Sequence, residues 1–284
     1  MKKPFAIGIF CFFFSIASAF SLEMTVFGDH DRNETAKRIA NLAASLEPDV
    51  HLLVGDWHYS SSEKKAKKWW DEVYAPLRQS GSILLFALGN HEALPSFQFN
   101  MDLVGMTQSW YAMRLSEHDE EDETKSNDVY LIVLDSNLYS CPKQLSFLKA
   151  ALAESRKARW QVVAFHHPPF SSGEGHGSNL KVRSKWSPLF DEYGVDLVLT
   201  GHDHIYERTH PVCSDGSLNT RCPIYIVTGG GGRSLYPVTK EQPYWSRSRF
   251  KEHHFMKLTF LEDKIEVDAI KQDGSILDSF DGYD

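Results

Sequence analysis

In the first two thirds of the chain, apolar residues fall into short, nearly unbroken runs. The clearest are EMTVFGD (23–29), VHLLVGD (50–56), ILLFALGN (83–90), QVVAFHH (161–167) and VDLVLTGHDH (195–204), with DVYLIVLDS (128–136) as a sixth. Runs this short and this rich in Val, Leu, Ile and Phe predict strands buried on both faces, as in a helix-covered sheet. Between them the period becomes helical. Over 34–47, Ala36, Ile39, Ala40, Ala43 and Leu46 recur on one face behind Asn33, a candidate N-cap. Over 62–79, Trp69, Trp70, Val73 and Leu77 oppose a Lys-rich face. Leu145, Leu148 and Leu152 follow Pro142, which suits a first helical turn. The βαβα alternation predicts an α/β architecture.

Beyond residue 224 the pattern changes to IYIVTGGGG, HHFMKLTF, KIEVDAIK and SILDSF. The last three alternate and are spaced by turn residues, so they predict antiparallel strands in a second sheet packed on the first. The tetraglycine at 229–232 lacks the trailing Gly-Lys-Ser/Thr of a phosphate loop and reads as a tight turn after a strand.

With 284 residues and no repeat or low-complexity linker, the chain has enough apolar material for one large core. Residues 1–19 stand apart. Lys2 and Lys3, an apolar stretch from Phe5 to Ile16, and Ala17 and Ala19 make a secretory signal, with a retained anchor as the competing reading. Residues 20–284 are then a single domain, secreted or periplasmic/lumenal. No other segment approaches ~18 consecutive apolar residues, so no membrane span is expected after cleavage. Loss of the two lysines takes the net charge from −8 to −10. An acidic chain without basic tracts gains little from counterion release, so nucleic acid is not expected as the main partner.

Export permits disulfides. Cys213 and Cys222 flank the turn-rich SDGSLNTR, and a bridge there would add on the order of 2–3 kcal/mol. Cys141 is left over, either buried or a free thiol. The acidic stretch 116–128 reads as a solvated loop, with a calcium site as the lesser alternative.

Ligands in open α/β sheets gather beyond the carboxyl ends of the strands. Five of the runs deliver Asp29, Asp56, Asn90, His166 and the pair His202/His204 to such ends, four of them beside a glycine. Carboxylate, amide oxygen and imidazole are all metal-ligand types. His202 and His204, two apart, would face one side of an extended segment, whereas His166 and His167 would point oppositely.

GDxxY (Gly55–Tyr59), GNHE (Gly89–Glu92), VAFH (Val163–His166) and GHDHIYER (Gly201–Arg208) follow Asp29 in order. Together they resemble the calcineurin-like metallophosphoesterases, and within them the purple acid phosphatases, over residues 24–232. The resemblance implies two packed mixed β-sheets flanked by helices and two metal ions, Fe(III) plus a divalent Fe, Zn or Mn. Asp29, Asp56, Tyr59 and His204 would hold the ferric ion. Asp56, Asn90, His166 and His202 would hold the divalent one, with Asp56 bridging. Tyr59 as a mere packed aromatic is the bland alternative. The implied reaction is hydrolysis of a small phosphate monoester by a metal-bound hydroxide. His91 would contact a substrate oxygen or the nucleophile, and His176 would protonate the leaving group, with His167 as competitor. His30, His58 and His210 read as supporting or exposed histidines. Asp31 departs from the D-x-G expected of the branch, and ligation, water binding and helix capping all remain open for it. A phosphodiesterase of the same fold and a non-catalytic metal-binding protein are the alternative functions. Substrate and oligomeric state are not legible.

Overall fold

The computed structural model describes residues 21–60, 62–93, 97–115 and 128–282. The export signal expected at 1–19 lies outside the described residues, as do positions 116–127 of the acidic stretch. The elements begin with β1 (Leu22–Phe27), α1 (Glu34–Ser45), β2 (Val50–Val54), α2 (Glu63–Val73), α3 (Ala75–Gln79), β3 (Ile83–Ala87), α4 (Asn90–Ala93) and α5 (Phe97–Val104). Next come β4 (Tyr111–Leu115), β5 (Val129–Val133), α6 (Pro142–Ser155), β6 (Trp160–Ala164), α7 (Leu180–Tyr193) and β7 (Leu197–Thr200). The chain closes with β8 (Tyr206–Thr209), β9 (Ile224–Thr228), β10 (Ser246–Phe250), β11 (His254–Phe260), β12 (Ile265–Lys271) and β13 (Ile276–Asp281).

These strands form two mixed sheets, ordered β13-β12-β11-β1-β2-β3 and β10-β8-β9-β7-β6-β5-β4. Period two divides each buried strand between two layers. Met24, Val26 and Leu52 of one sheet meet Leu131, Val162, Leu199 and Ile226 of the other in a core between the sheets. The alternate residues point outward. Phe27 and Leu53 pack with Ile39, Ala40, Trp69 and Val73 of the first helices, while Val163 and Val198 pack with Leu148, Leu152, Trp186 and Phe190. Fully burying such a side chain contributes about 1.5–3 kcal/mol, so neither layer is dispensable. Asn33 caps α1, its Oδ1 accepting from Ala36 N at 2.9 Å. Pro142 opens α6, and Cys213 is bonded to Cys222 while Cys141 is free.

Four expectations change. The C-terminal strands do not build a second sheet: β11 pairs antiparallel with β1, Met24 opposite Leu258, and extends the first. β1 pairs with β2 on one side only, and its other edge presents backbone groups that need partners. The second sheet instead comes from the middle of the chain. The helix expected over 62–79 breaks at Tyr74, because Pro76 has no N–H for a helical bond and disfavours helix before it. Leu46 is an exposed C-cap residue, off the apolar face of α1. Asp128, the last residue of the acidic stretch, is fully buried and pairs with Arg114.

One ion pair links the sheets at their ends. Arg208 of β8 bonds Asp278 of β13 through Nε at 2.8 Å, and Tyr206 Oη donates to the same carboxylate at 2.8 Å. Asp278→Ala strands Arg208 in a largely buried place and should cost about 3 kcal/mol, measured by urea unfolding. His254 is fully buried; Nδ1 donates to Glu252 O and Nε2 accepts from Thr228 Oγ1. Burial pushes it down to about 4. A depressed histidine binds a proton more readily unfolded than folded, so its contribution is complete above pH ~6.5 and is lost on acidification towards pH 4. We expect it to remove about 2–3 kcal/mol between pH 6.5 and 4.5, and His254→Gln to flatten that part of the urea stability profile.

Candidate metal centre

The carboxyl ends of the parallel strands in both sheets open onto one edge. Asp29, Asp56, Asn90, His166 and His202 each lie two or three residues past β1, β2, β3, β6 and β7. Tyr59 follows Asp56 and His204 follows His202. Asp29, Asp56 and His202 take left-handed φ values of 60°, 48° and 70°, each costing about 1–3 kcal/mol. That strain turns the side chains into the shared edge.

The residues gather in two groups. Tyr59 Oη lies 3.2 Å from Asp29 Oδ1 and 3.1 Å from His204 Nε2, which is itself 3.4 Å from Asp29 Oδ1. In the second group His166 Nε2 lies 3.2 Å from Asn90 Oδ1, 3.4 Å from Asp56 Oδ1 and 3.2 Å from His202 Nδ1. Asp29 Oδ2 accepts from His202 N at 2.8 Å and ties the groups together. His202 and His204 thus serve different groups. The segment is not extended, and the turn at His202 separates the rings.

The second nitrogen of each ring decides what the groups can bind. His166 Nδ1 lies 2.9 Å from the Val54 carbonyl and His204 Nδ1 2.7 Å from that of Ser234. A carbonyl only accepts, so each Nδ1 carries the proton and each Nε2 offers a lone pair. Those lone pairs meet carboxylate and amide oxygens, also acceptors. Apart from the Tyr59 hydroxyl, which donates to Asp29 Oδ1, acceptors predominate in both groups and fit a cation, and rings braced through their far nitrogen are how metal-binding histidines are held.

The electrostatics make the same demand. Burial drives the Asp56 carboxyl up, but His166 beside it prevails and holds it down at about 2. Burial lowers His166, and Asp56 more than reverses this, to about 10. A proton on His166 Nε2 thus answers the same need for positive charge. Burial, then Asp29 and Asp56, push the Tyr59 phenol far above its ordinary value. Only a strongly charged cation would take that proton's place, and phenolate with carboxylate suits a hard ion.

Around the groups stand residues of unequal legibility. His91 donates its backbone N–H to Asp56 Oδ1 at 3.0 Å and packs its half-exposed ring on Tyr59, centroids 4.3 Å apart. His176 is exposed and stacks on His202 at 3.9 Å. His167 does not point away: its ring lies 4.3 Å from that of His202. Ser136 Oγ accepts from His167 N and meets His167 Nδ1 at 2.8 Å. With no other acceptor for this hydroxyl among the described residues, it donates to Nδ1, leaving the proton on Nε2. Burial pushes His167 down to about 3. Asp31 neither caps α1 nor joins a group; Oδ2 takes Arg233 Nη1 at 2.8 Å, and Arg233 lies over the Tyr59 ring at 4.3 Å. His30 and His58 are buried, bonded to Tyr74 and Asn100, and His210 bonds through its backbone to Trp245.

Sequence reasoning left three features without a role. Glu92 is fully buried and accepts from the backbone N–H of Asp56 and Gly89, both at 2.9 Å, and of His58 at 3.3 Å. It splints the two loops that carry Asp56 and Asn90; its place in GNHE was the available signal. Tyr236 stacks on His204 at 4.2 Å and 11°, and nothing local marks it. The tetraglycine is more than a turn. A side chain at Gly229 would collide with Asp203 O at 2.1 Å and one at Gly231 with Gly28 O at 2.3 Å, so the segment packs against the site. A groove of about 510 Å³ beside Leu22, Asp49, Ile83 and Leu115 opens at the opposite ends of the strands and holds none of these residues.

Residues 24–206 match the calcineurin-like phosphoesterase model, and residues 222–279 match the iron/zinc purple acid phosphatase-like protein C model. The chain belongs to the calcineurin-like phosphoesterase family. Within it, the C-terminal match is to a purple acid phosphatase-like module. Purple acid phosphatase 21 of Arabidopsis thaliana is 30% identical over 254 residues, covering 84% of this chain and 56% of that protein. Acid phosphatase type 7 of Mus musculus is 28% identical over 298 residues, covering 91% and 66%. The chain thus spans a little over half the length of the plant relative. The fold is shared with purple acid phosphatase PPD1 of yellow lupin (TM-score 0.71, 21% identity, 92% of this chain and 53% of that one). It is shared also with GAP50, the anchor in the inner membrane complex of Plasmodium (TM-score 0.77, 16% identity, 92% and 88%).

At Gly89 an added Cβ would sit 2.0 Å from Asp56 Oδ1. Gly89→Ala should therefore push Asp56 out of its group while the sheets persist. Bound metal, measured by mass spectrometry on folded protein, is expected to fall by more than half.

Proposed function

We propose that this chain is an exported phosphomonoesterase of the acid phosphatase type, with residues 20–284 as one catalytic domain. The observation that carries the reading is the convergence of oxygen and nitrogen ligand atoms from Asp29, Tyr59 and His204, and from Asp56, Asn90, His166 and His202, with the His166 and His204 rings braced at Nδ1 by backbone carbonyls. These residues would hold an Fe(III) and a divalent Fe, Zn or Mn, with Asp56 shared. Such a pair supplies Lewis acidity and an activated water to phosphoryl transfer.

The chain's own residues do the rest. His91, its Nε2 3.8 Å from Asp56 Oδ2 and its side chain 44% exposed, reaches the mouth and donates to a phosphoryl oxygen. His176 stands exposed at the same mouth and delivers a proton to the departing alkoxide. His167, neutral and with its Nε2–H free, fits a hydrogen-bond donor and not a proton source. Arg233, committed to Asp31, keeps a positive charge beside the Tyr59 ring. Among the described residues no helix is long and apolar enough to cross a membrane, and the Cys213–Cys222 bridge suits an oxidising compartment. GAP50, which shares the fold, is an anchor in the inner membrane complex of Plasmodium; the two groups of ligand atoms are what favour catalysis here.

The reading is tested on metal-loaded protein with p-nitrophenyl phosphate and its bis-ester side by side. The monoester should be preferred, and Asn90→Ala or His91→Ala should lower kcat/KM by about 100-fold or more without unfolding. Preference for the bis-ester would make it a phosphodiesterase. Iron-loaded protein should show a visible tyrosinate band that Tyr59→Phe removes; a colourless iron protein would overturn the assignment of Tyr59.

A further inference from the structure

Asp203 sits in sequence between two residues of the metal groups. It is fully buried, and among the described residues no cationic side chain pairs with it. Instead it is wrapped by one loop: Oδ2 accepts from Ser171 Oγ at 2.5 Å and Gly177 N at 2.8 Å, and Oδ1 from His176 N at 3.1 Å. Ser171 Oγ in turn accepts from Gly173 N at 3.2 Å, and Ser178 Oγ closes the loop by accepting from Ser171 N at 2.9 Å. Gly173 comes so near that a Cβ there would lie 2.6 Å from Asp203 Cγ. A buried carboxylate without a counter-ion is costly unless its lone pairs are met. Here they are met by the Ser171 hydroxyl and two backbone N–H groups, all from the one segment that carries His176.

The His176 ring itself makes no hydrogen bond among the described residues. Its place is set by the stack on His202, the edge of Tyr236 at 5.5 Å, and the tether of its own backbone to Asp203. We propose that Asp203 is the positioning residue of His176: it holds the 171–178 loop so that the imidazole stands at the mouth of the metal groups. Protonation of the leaving group then depends on Asp203, although Asp203 touches neither substrate nor metal. The inference rests on the reading of His176 as the proton donor, and its test separates the two.

Metal-loaded wild type, His176→Ala, Asp203→Asn and the double variant are compared on p-nitrophenyl phosphate, phenyl phosphate and an alkyl phosphate. Asparagine keeps one acceptor oxygen and sets an amide donor against a backbone N–H. A nitrophenolate leaves without help, so His176→Ala should lose little there and about 100-fold on the alkyl ester. Asp203→Asn should reproduce that selective loss with unchanged metal content, and the double variant should be no worse than His176→Ala. Uniform slowing on all three substrates, or an alkyl phosphate rate like that of wild type, overturns the proposal. Should Asp203→Asn not fold, Ser171→Ala removes one of the three donors and should give a weaker form of the same selectivity. If His176→Ala shows no selectivity, the proton-donor reading falls. Positioning is then judged by the His176 ring signal in NMR of zinc-loaded protein, which Asp203→Asn should move off the ring-current shift of the stack. An unmoved signal overturns positioning as well.

Discussion

A hydrogen bond from His166 Nδ1 to the carbonyl of Val54 is among those that join the two sheets at the edge where the candidate metal centre lies. It spans from the end of β6 in one sheet to the last residue of β2 in the other. By taking the Nδ1 proton it turns the Nε2 lone pair onto Asp56, Asn90 and His202. Parallel strands in both sheets must end at the same edge for this bond to exist. The sandwich core, in which Leu52 meets Val162 and Leu199, keeps them there.

The site carries electrostatic and conformational costs that a bound cation would offset. Asp29, Asp56 and Glu92 are buried acids within one small volume, and Tyr59 would join them as phenolate. Three of the turning residues sit at left-handed φ. Each feature alone disfavours folding; together they describe a cradle built around positive charge. Glu92 and the close pass at Gly89 keep the Asp56 and Asn90 loops in register, so that strain is not relieved by drifting apart.

The rim is organised on the opposite principle. Its polar groups are paired or tethered through the backbone, which leaves the rings free to meet substrate. Asp31 is neutralised by Arg233, so it adds no negative charge to the first group. His167 is held neutral and His176 is presented by its loop. The rim therefore offers hydrogen-bonding rings without added negative charge on a chain that is acidic as a whole.

Much of this was legible along the chain. Unbroken apolar runs marked the buried parallel strands, because a strand covered on both faces has no polar side to show. Asn33 and Pro142 marked helix starts through purely local chemistry. Asp29, Asp56, Asn90, His166, His202 and His204 were visible because each follows an apolar run, and strand ends are where α/β sheets place ligands. What the sequence left open were the choices made across space. The pairing of β11 with β1, the break at Tyr74, the burial of Asp128 and the union of Asp31 with Arg233, 202 residues apart, depend on which edges and charges meet. The resemblance already set His202 and His204 in different groups, and the left-handed turn at His202 is what separates their rings. The sequence determined which residues can bind a cation and that they lie at strand ends. The tertiary structure decided which lone pairs converge, because the proton on the His166 and His204 rings is set by a carbonyl more than two dozen residues away.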